Sequence, residues 1–404
     1  MEKYAEHFRL SERDVEEYVR TKLPDYFGDG PLEISEIGDG NINYVFRAKD
    51  KTGKSIIIKQ ADKFVRSTGH SADTDRNRIE AQILQLEYKL SPNHIPVIYL
   101  YDPVMCCVVM QDVGDHKNLR YALMNHETYP TLAKDMGQFL ADTLISTSDL
   151  CLDAQEKKAL VKNYINPSMC DISERLVFSE PYTNARGSNQ PFAPNKDWLE
   201  QELYRDPALK LAAAKLKTRF MDNAQALIHG DLHSGSIFVK KGSTMVLDPE
   251  FAFFGPAGYD IGNMIAHFAI AWAAAEASMG ASEEKMCYLA YLETCMTQVI
   301  CQFRSHALEL AEKATDLMFT GTDYQRWFVE EMVADAAGYA GTEIIRRIVG
   351  SAKVKDITTL TDTARLRAER TAVLAAKTMI LTMQRPGMDP KEYTEALRAA
   401  AKLD

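Results

Sequence analysis

The apolar residues of this 404-residue chain change their period part-way along it, and that change does most to limit the fold. Up to about residue 110 they come in short, alternating runs. Residues 32–37, 44–48, 55–59, 96–101 and 104–110 read as strands. Gly38-Asp-Gly40 and Asp50-Lys-Thr-Gly53 supply turns between them. One helix is inserted at 76–90, with Ile79, Ile83, Leu86 and Leu90 on one face, and an earlier one starts at Ser11, with Asp14 three residues on. Residues 111–116 carry little apolar material. Beyond them the helical period takes over, at 129–147, 207–224, 259–279, 282–311, 323–349 and 361–383. Asp206 before Pro207 marks one helix start. Residues 182–195, rich in Asn, Pro, Gly and Ser, read as a long surface loop. Only two short strand-like segments, 225–228 and 245–247, interrupt the helical region. The expected class is α+β and two-lobed: a small antiparallel-sheet lobe with one inserted helix over residues 1–111, and a larger, mainly helical lobe over 112–404.

Composition narrows the function. Hydrophobic residues make up 46%, enough for large cores. A net charge of −10 argues against nucleic acid or an anionic membrane as a non-specific partner. The first residues, Met1-Glu-Lys-Tyr-Ala-Glu-His7, hold no apolar signal core, and the longest apolar stretch, near 265–275, is interrupted by His267 and too short to span a bilayer. The expectation is a soluble, cytoplasmic protein. Seven cysteines (Cys106, Cys107, Cys151, Cys170, Cys287, Cys295 and Cys301) show no CxxC or zinc spacing, so reduced thiols are expected, most of them small buried residues.

The chemistry gathers around the two interrupting strands. His229-Gly-Asp231-Leu-His233-Ser-Gly-Ser236 follows the first, and Asp248-Pro249-Glu250 follows the second. Three carboxylates beside two strand ends suit phosphoryl transfer, which depends on positioning and charge neutralisation more than on covalent help. Asp231 would orient an acceptor hydroxyl and accept its proton; alone, such a turn is as readily an exposed Asp. Asp248 and Glu250, two apart in an extended segment, point to one side and could hold Mg²⁺; the plainer reading is two solvated acids at a strand end.

Other groups fit the same chemistry with less force. Lys59 ends a buried strand and needs a partner, with Glu80 on the following helix the candidate and Arg76, Arg78, Glu87 and Lys63 competing. A snorkelling lysine is the plainer alternative. Gly38, Gly40, Asn41 and Asn43 could approach phosphates, although a hairpin turn is the commoner meaning. Gln111, Asp112 and Val113, at the inferred hinge, could pair with an adenine edge. Arg346 and Arg347 sit about 100° apart around a helix, so the pattern brings one of them to a given partner, and a salt bridge to Glu343 is the favoured reading. Asp260 is expected to brace the catalytic turn through backbone hydrogen bonds, and His229 and His233 to be structural.

These motifs resemble the aminoglycoside phosphotransferase and choline kinase branch of the protein-kinase-like superfamily, and within it the 5-methylthioribose kinase family. The resemblance runs over nearly the whole chain: Gly38-Asp-Gly-Asn-Ile-Asn-Tyr-Val-Phe46, Ile58-Lys-Gln-Ala61, Ile165-Asn-Pro-Ser-Met-Cys170, His229 through Phe238, Asp248 through Pro256 and Glu343-Ile-Ile-Arg-Arg347. Ser236 stands where protein kinases carry a metal-binding Asn, and Asp-Pro-Glu stands where they carry Asp-Phe-Gly. The resemblance implies ATP contacts at Asn43, Lys59, Gln111, Asp112, Val113, Asp248, Pro249 and Glu250, with Mg²⁺ at Asp248 and Glu250. It implies sugar contacts at Asp231, Arg346 and Arg347, with Glu80, Gly38, Gly40, Asn41 and Ser236 supporting. It further implies a homodimer that phosphorylates the 1-hydroxyl of 5-methylthioribose in methionine salvage. Another small alcohol (an aminoglycoside, choline or homoserine) or a silent ATP-binding scaffold are the competing readings.

Overall fold

The computed structural model describes residues 3–37, 43–62 and 74–403. The chain divides into two compact units. The first runs to His116 and takes in Met245–Phe251; the second comprises Lys117–Thr244 and the chain from Ala252 onward. The segment carrying Asp248 and Glu250 therefore packs with the first unit, which the chain enters twice.

The first unit is built on a five-stranded sheet, β1 (Glu33–Glu36), β2 (Tyr44–Lys49), β3 (Ser55–Gln60), β4 (Ile98–Asp102) and β5 (Cys107–Gln111), in the order β1-β2-β3-β5-β4 with every pairing antiparallel. Alternation explains its two faces. Phe46, Ala48, Ile56, Ile58, Cys107 and Val109 pack with Val15, Tyr18 and Val19 of helix α1 (Glu12–Lys22). Burying each Val, Ile and Phe side chain among them contributes about 1.5–3 kcal/mol. Lys59, one step out of phase with Ile58, is thereby turned to the other face, where helix α2 (Asp75–Leu90) presents Glu80. The α1 start is as the sequence predicts: the Ser11 N–H donates to Asp14 Oδ2 at 3.1 Å.

The second unit is helical. The helix Gly258–Ser278 is buried over most of its length, and it lies against Thr322–Val349, which continues into packing with Asp362–Thr382. Gly262 sets how closely the first two approach, since a Cβ there would come within 2.6 Å of the Ala336 carbonyl oxygen. The interrupting strands appear at Ala226–Ile228, antiparallel to Phe253–Gly255, and at Ser243–Val246, which leads the chain into the first unit. The α+β class and its small antiparallel sheet agree with the sequence reading.

Three readings need correction. Residues 182–195 do not form a surface loop throughout: Asn195 is fully buried, donating to Glu369 Oε2 at 2.9 Å and accepting from Arg370 Nε at 2.9 Å, so its polarity serves an internal network. Helices Ala154–Asn163, Pro167–Phe178 and Lys391–Ala400 are additional to those read from the sequence; each is short, and only the first lacks a buried apolar face. The cysteines are free thiols, but only Cys107 and Cys295 are buried; Cys287 and Cys301 lie exposed on the helix Glu283–Ala311. Among the described residues no helix is long and apolar enough to cross a membrane.

Candidate active site

In the first unit, Lys59 is the centre of a buried charge cluster. Its Nζ donates to Glu80 Oε1 at 2.6 Å and to Asp248 Oδ1 at 2.5 Å. The pairing with Glu80 is thus made, while Arg78 turns to Asp75. Burial alone would lower the Lys59 pKa, but the charges of Asp248, Glu80 and Glu250 outweigh it and hold the ammonium firmly protonated. Asp248 sits at φ +67°, a left-handed conformation that Asp adopts more readily than most residues. Asn43 Nδ2 donates to Glu250 Oε2 at 3.4 Å, and Arg76, 2% exposed, lies 3.5 Å from the same oxygen while donating to Asn43 Oδ1 at 3.1 Å. Arg76 was legible in the sequence only as a rival for the lysine pair; its position on α2 makes it the second cation of this cluster.

Three carboxylates (Glu80, Asp248 and Glu250) thus meet two cations (Lys59 and Arg76). The imbalance is felt: burial, then repulsion from the neighbouring carboxylates, raises Glu250 and pushes Glu80 up to about 7 against the pull of Lys59. A hard divalent cation would relieve that surplus, and carboxylate oxygens are the donors it takes. Asp248, with 43% of its side chain exposed, offers the accessible ligand. No group of three or more His, Cys, Asp or Glu among the described residues forms a protein-only cage. The carboxylates of Asp248 and Glu250 fit an ion that takes one or two carboxylates together with a ligand's oxygens.

The hinge residues are engaged locally. Asp112 pairs with Arg47 at 2.7 and 3.1 Å, and Gln111 Oε1 accepts from the Val97 N–H at 3.2 Å. Val113 is buried. Gly38, Gly40 and Asn41 lie outside the described residues.

The second unit holds the residues that the sequence assigns to the acceptor side. Gly230, at φ +82°, turns the chain after Ala226–Ile228 in a conformation that suits glycine. The Asp260 carboxylate braces the turn as expected, accepting from the N–H of His229 at 2.6 Å and of Gly230 at 3.0 Å. Asp231 is then gripped at both oxygens. Oδ1 accepts from Arg346 Nη2 at 2.7 Å and Arg347 Nη2 at 3.2 Å, and Oδ2 lies 3.3 Å from His233 Nε2. The expectation that one arginine would face any partner fails, and Glu343 is the reason. Fully buried one turn earlier, it takes Arg346 Nε and Arg347 Nε on its two oxygens, drawing both forks to the same side. The salt bridge to Glu343 and the reach to Asp231 are both real.

Hydrogen bonding fixes the histidines. The Gly235 N–H donates to His233 Nδ1 at 2.9 Å, so Nε2 carries the proton and faces Asp231. His233 therefore touches the candidate catalytic carboxylate, beyond the turn role read for it. His267 gives Nε2–H to Glu343 at 3.3 Å and accepts from Ser234 at Nδ1, 3.0 Å. Burial lowers both imidazoles, His267 to about 3, so both are neutral at neutral pH. Burial opposes ionisation of Asp231, yet its imidazole and guanidinium partners hold the carboxyl well below its usual range. Such a group is a strong hydrogen-bond acceptor and a weak base, suited to orienting a hydroxyl. Ser236 turns its hydroxyl to the Asp231 carbonyl at 3.3 Å and to His233, which supports the loop. Asn166, from the quoted Ile165–Cys170 motif, ties its side chain to the Ala252 carbonyl at 3.1 Å.

Comparison with known proteins agrees with this chemistry. Residues 33–285 match the model of the phosphotransferase enzyme family. The chain is 40% identical over 364 residues to the methylthioribose kinase of Cronobacter sakazakii, an alignment covering 88% of this chain and 89% of that one. It is 40% identical to the methylthioribose kinase of Klebsiella pneumoniae subsp. pneumoniae (88% and 91% covered), and 38% identical to that of Citrobacter koseri (94% and 96% covered). The chain belongs to the phosphotransferase enzyme family and, within it, to the methylthioribose kinases.

Proposed function

We propose that the chain transfers the γ-phosphoryl group of ATP to the 1-hydroxyl of 5-methylthioribose, giving 5-methylthioribose 1-phosphate for methionine salvage, as a cytoplasmic homodimer. The observation that carries the acceptor side is the grip of Arg346, Arg347 and His233 on Asp231, in a chain so similar to methylthioribose kinases. Residues 1–111 would form the nucleotide-binding lobe, with Asn43, Lys59 and the backbone of 111–113 toward ATP. Residues 112–404 would carry the acceptor groups.

In this reading Asp231 orients the 1-hydroxyl. The hydroxyl oxygen bonds to the γ-phosphorus as the bond to the β–γ bridging oxygen breaks, ADP departs, and the hydroxyl proton passes to Asp231 late in the step. Arg346 and Arg347 keep Asp231 ionised beforehand and can share the charge arriving with the phosphoryl group. Mg²⁺, held by Asp248 and Glu250, would neutralise phosphate charge. Lys59, kept protonated and aimed by Glu80, would contact the phosphates. A cationic acceptor such as choline or an aminoglycoside is disfavoured by the two guanidinium groups beside Asp231.

Incubation with 5-methylthioribose and Mg-ATP, followed by ³¹P NMR, should show the 1-phosphate and ADP in equal amounts. Asp231→Asn should lower kcat about 100- to 10,000-fold while leaving ATP binding intact. Unchanged turnover in that variant would overturn the mechanism. Turnover of a cationic acceptor alone in a substrate panel would overturn the substrate.

A further inference from the structure

Beside the Asp231 loop, the second unit holds polar groups that the reaction as described does not use. The Arg120 backbone N–H donates to the Ser234 carbonyl at 3.0 Å, and Asn118 Nδ2 donates to the Gly235 carbonyl at 2.6 Å, so this segment is tied to the loop that carries Asp231. Arg120 Nη2 lies 3.2 Å from where a Cβ on Gly235 would stand, alongside the His233 ring. Its Nε is 3.6 Å from Asp356 Oδ2, too far for a hydrogen bond. Arg120 Nε and Nη2 and Asp356 Oδ2 are all buried without a hydrogen-bond partner. Donors and an acceptor left so in a buried site are costly, and a ligand hydroxyl, which both accepts and donates, would satisfy them together.

Asp356 also lines a cavity of about 160 Å³. Its other walls include apolar Leu123, Ala274 and Leu360, together with polar His126, Ser278 and Thr359. A small cavity with a largely apolar wall and a carboxylate in its lining, itself paired with a neighbouring guanidinium, can read a ligand with a hydroxyl near an apolar substituent.

We propose that Arg120, Asp356 and this cavity form the subsite for the non-reacting end of the acceptor. The Arg120–Asp356 pair binds a ring hydroxyl, and the cavity takes the apolar 5-substituent. Arg120 and Asp356 are specificity residues, and the cavity walls set the size of substituent accepted. The proposal rests on the sugar-kinase reading above for the identity of the acceptor.

The test compares 5-methylthioribose with ribose, which has a hydroxyl in place of the methylthio group. Ala274→Leu, which fills the cavity, should lower kcat/KM for methylthioribose about 10-fold through KM while changing ribose by no more than about twofold. The KM for ATP should stay unchanged. Thr359→Leu fills the same cavity from another segment and should act likewise, in case the first variant does not fold. Asp356→Asn should raise KM for both sugars about 10-fold or more, again without affecting the KM for ATP. Equal losses on both sugars in folded cavity-filling variants, or no loss on either, would overturn the cavity assignment. An unchanged sugar KM in Asp356→Asn would overturn the hydroxyl assignment. Should the parent protein instead act on a different acceptor, the sugar reading falls alone. The same variants are then measured on that acceptor and a version lacking its apolar substituent: selective loss upholds the subsite, and no selectivity overturns it.

Discussion

Asp231 shows how far a single carboxylate can be shaped by its neighbours. Three donors on two oxygens keep it ionised, and each donor is itself held: the arginines by Glu343, His233 by the Gly235 N–H. Glu343 is therefore a positioning residue. Removing its charge leaves two buried guanidinium groups short of a partner, which costs on the order of 3–5 kcal/mol. Glu343→Gln should thus lower the urea midpoint markedly, and kcat should fall in whatever fraction stays folded. A midpoint equal to the parent's would mean the arginines are solvated rather than paired. By contrast, Arg346→Lys keeps the charge but loses the fork, so its main effect should be on kcat rather than stability.

At the scale of elements, the second unit depends on the close approach of Gly258–Ser278 to Thr322–Val349. The first helix carries Asp260 and His267 to the HGDLHSGS loop, and the second carries Glu343, Arg346 and Arg347. Their spacing fixes how the Asp231 loop meets the arginines. Gly262→Ala puts a methyl against the Ala336 carbonyl, and overpacking of this kind costs about 1–3 kcal/mol. Thermal denaturation should show a loss of several degrees, with Arg346 and Arg347 displaced enough to lower kcat as well. A stable variant with full activity would show that the helices can part without cost.

Across the whole molecule, buried neutral histidine links stability to pH. The folded pKa of His267, about 3, lies below its ordinary 6.5, so between those values the unfolded chain binds more protons than the native one. Its contribution is fully present above pH 6.5 and is lost as pH falls through that window, by about 2 kcal/mol at pH 5. Urea midpoints measured from pH 7 to pH 5 should therefore decline in the parent and decline less in His267→Gln. Parallel slopes would remove His267 as the cause.

The residues chosen by pattern divide cleanly by what carries them. The two-period layout, the strands of the first unit, the long helices and the HGDLHSGS and DPE motifs could be read directly, because hydrophobic period and turn chemistry are local properties of the chain. So could the Lys59–Glu80 pair and the brace from Asp260. The partnership of both arginines with Asp231 could not, since consecutive helical residues diverge until a third side chain, Glu343, draws them together. Nor could the place of Arg76 beside Glu250, the contact of His233 with Asp231, or the packing of the 245–251 segment with the first unit. Each of these joins residues far apart in sequence, and their burial and charge balance exist only once the chain is folded. The sequence alone determined which chemical groups were present and on what kind of element. Tertiary packing decided which of them meet, and therefore which carboxylate is held ionised and which cations hold it.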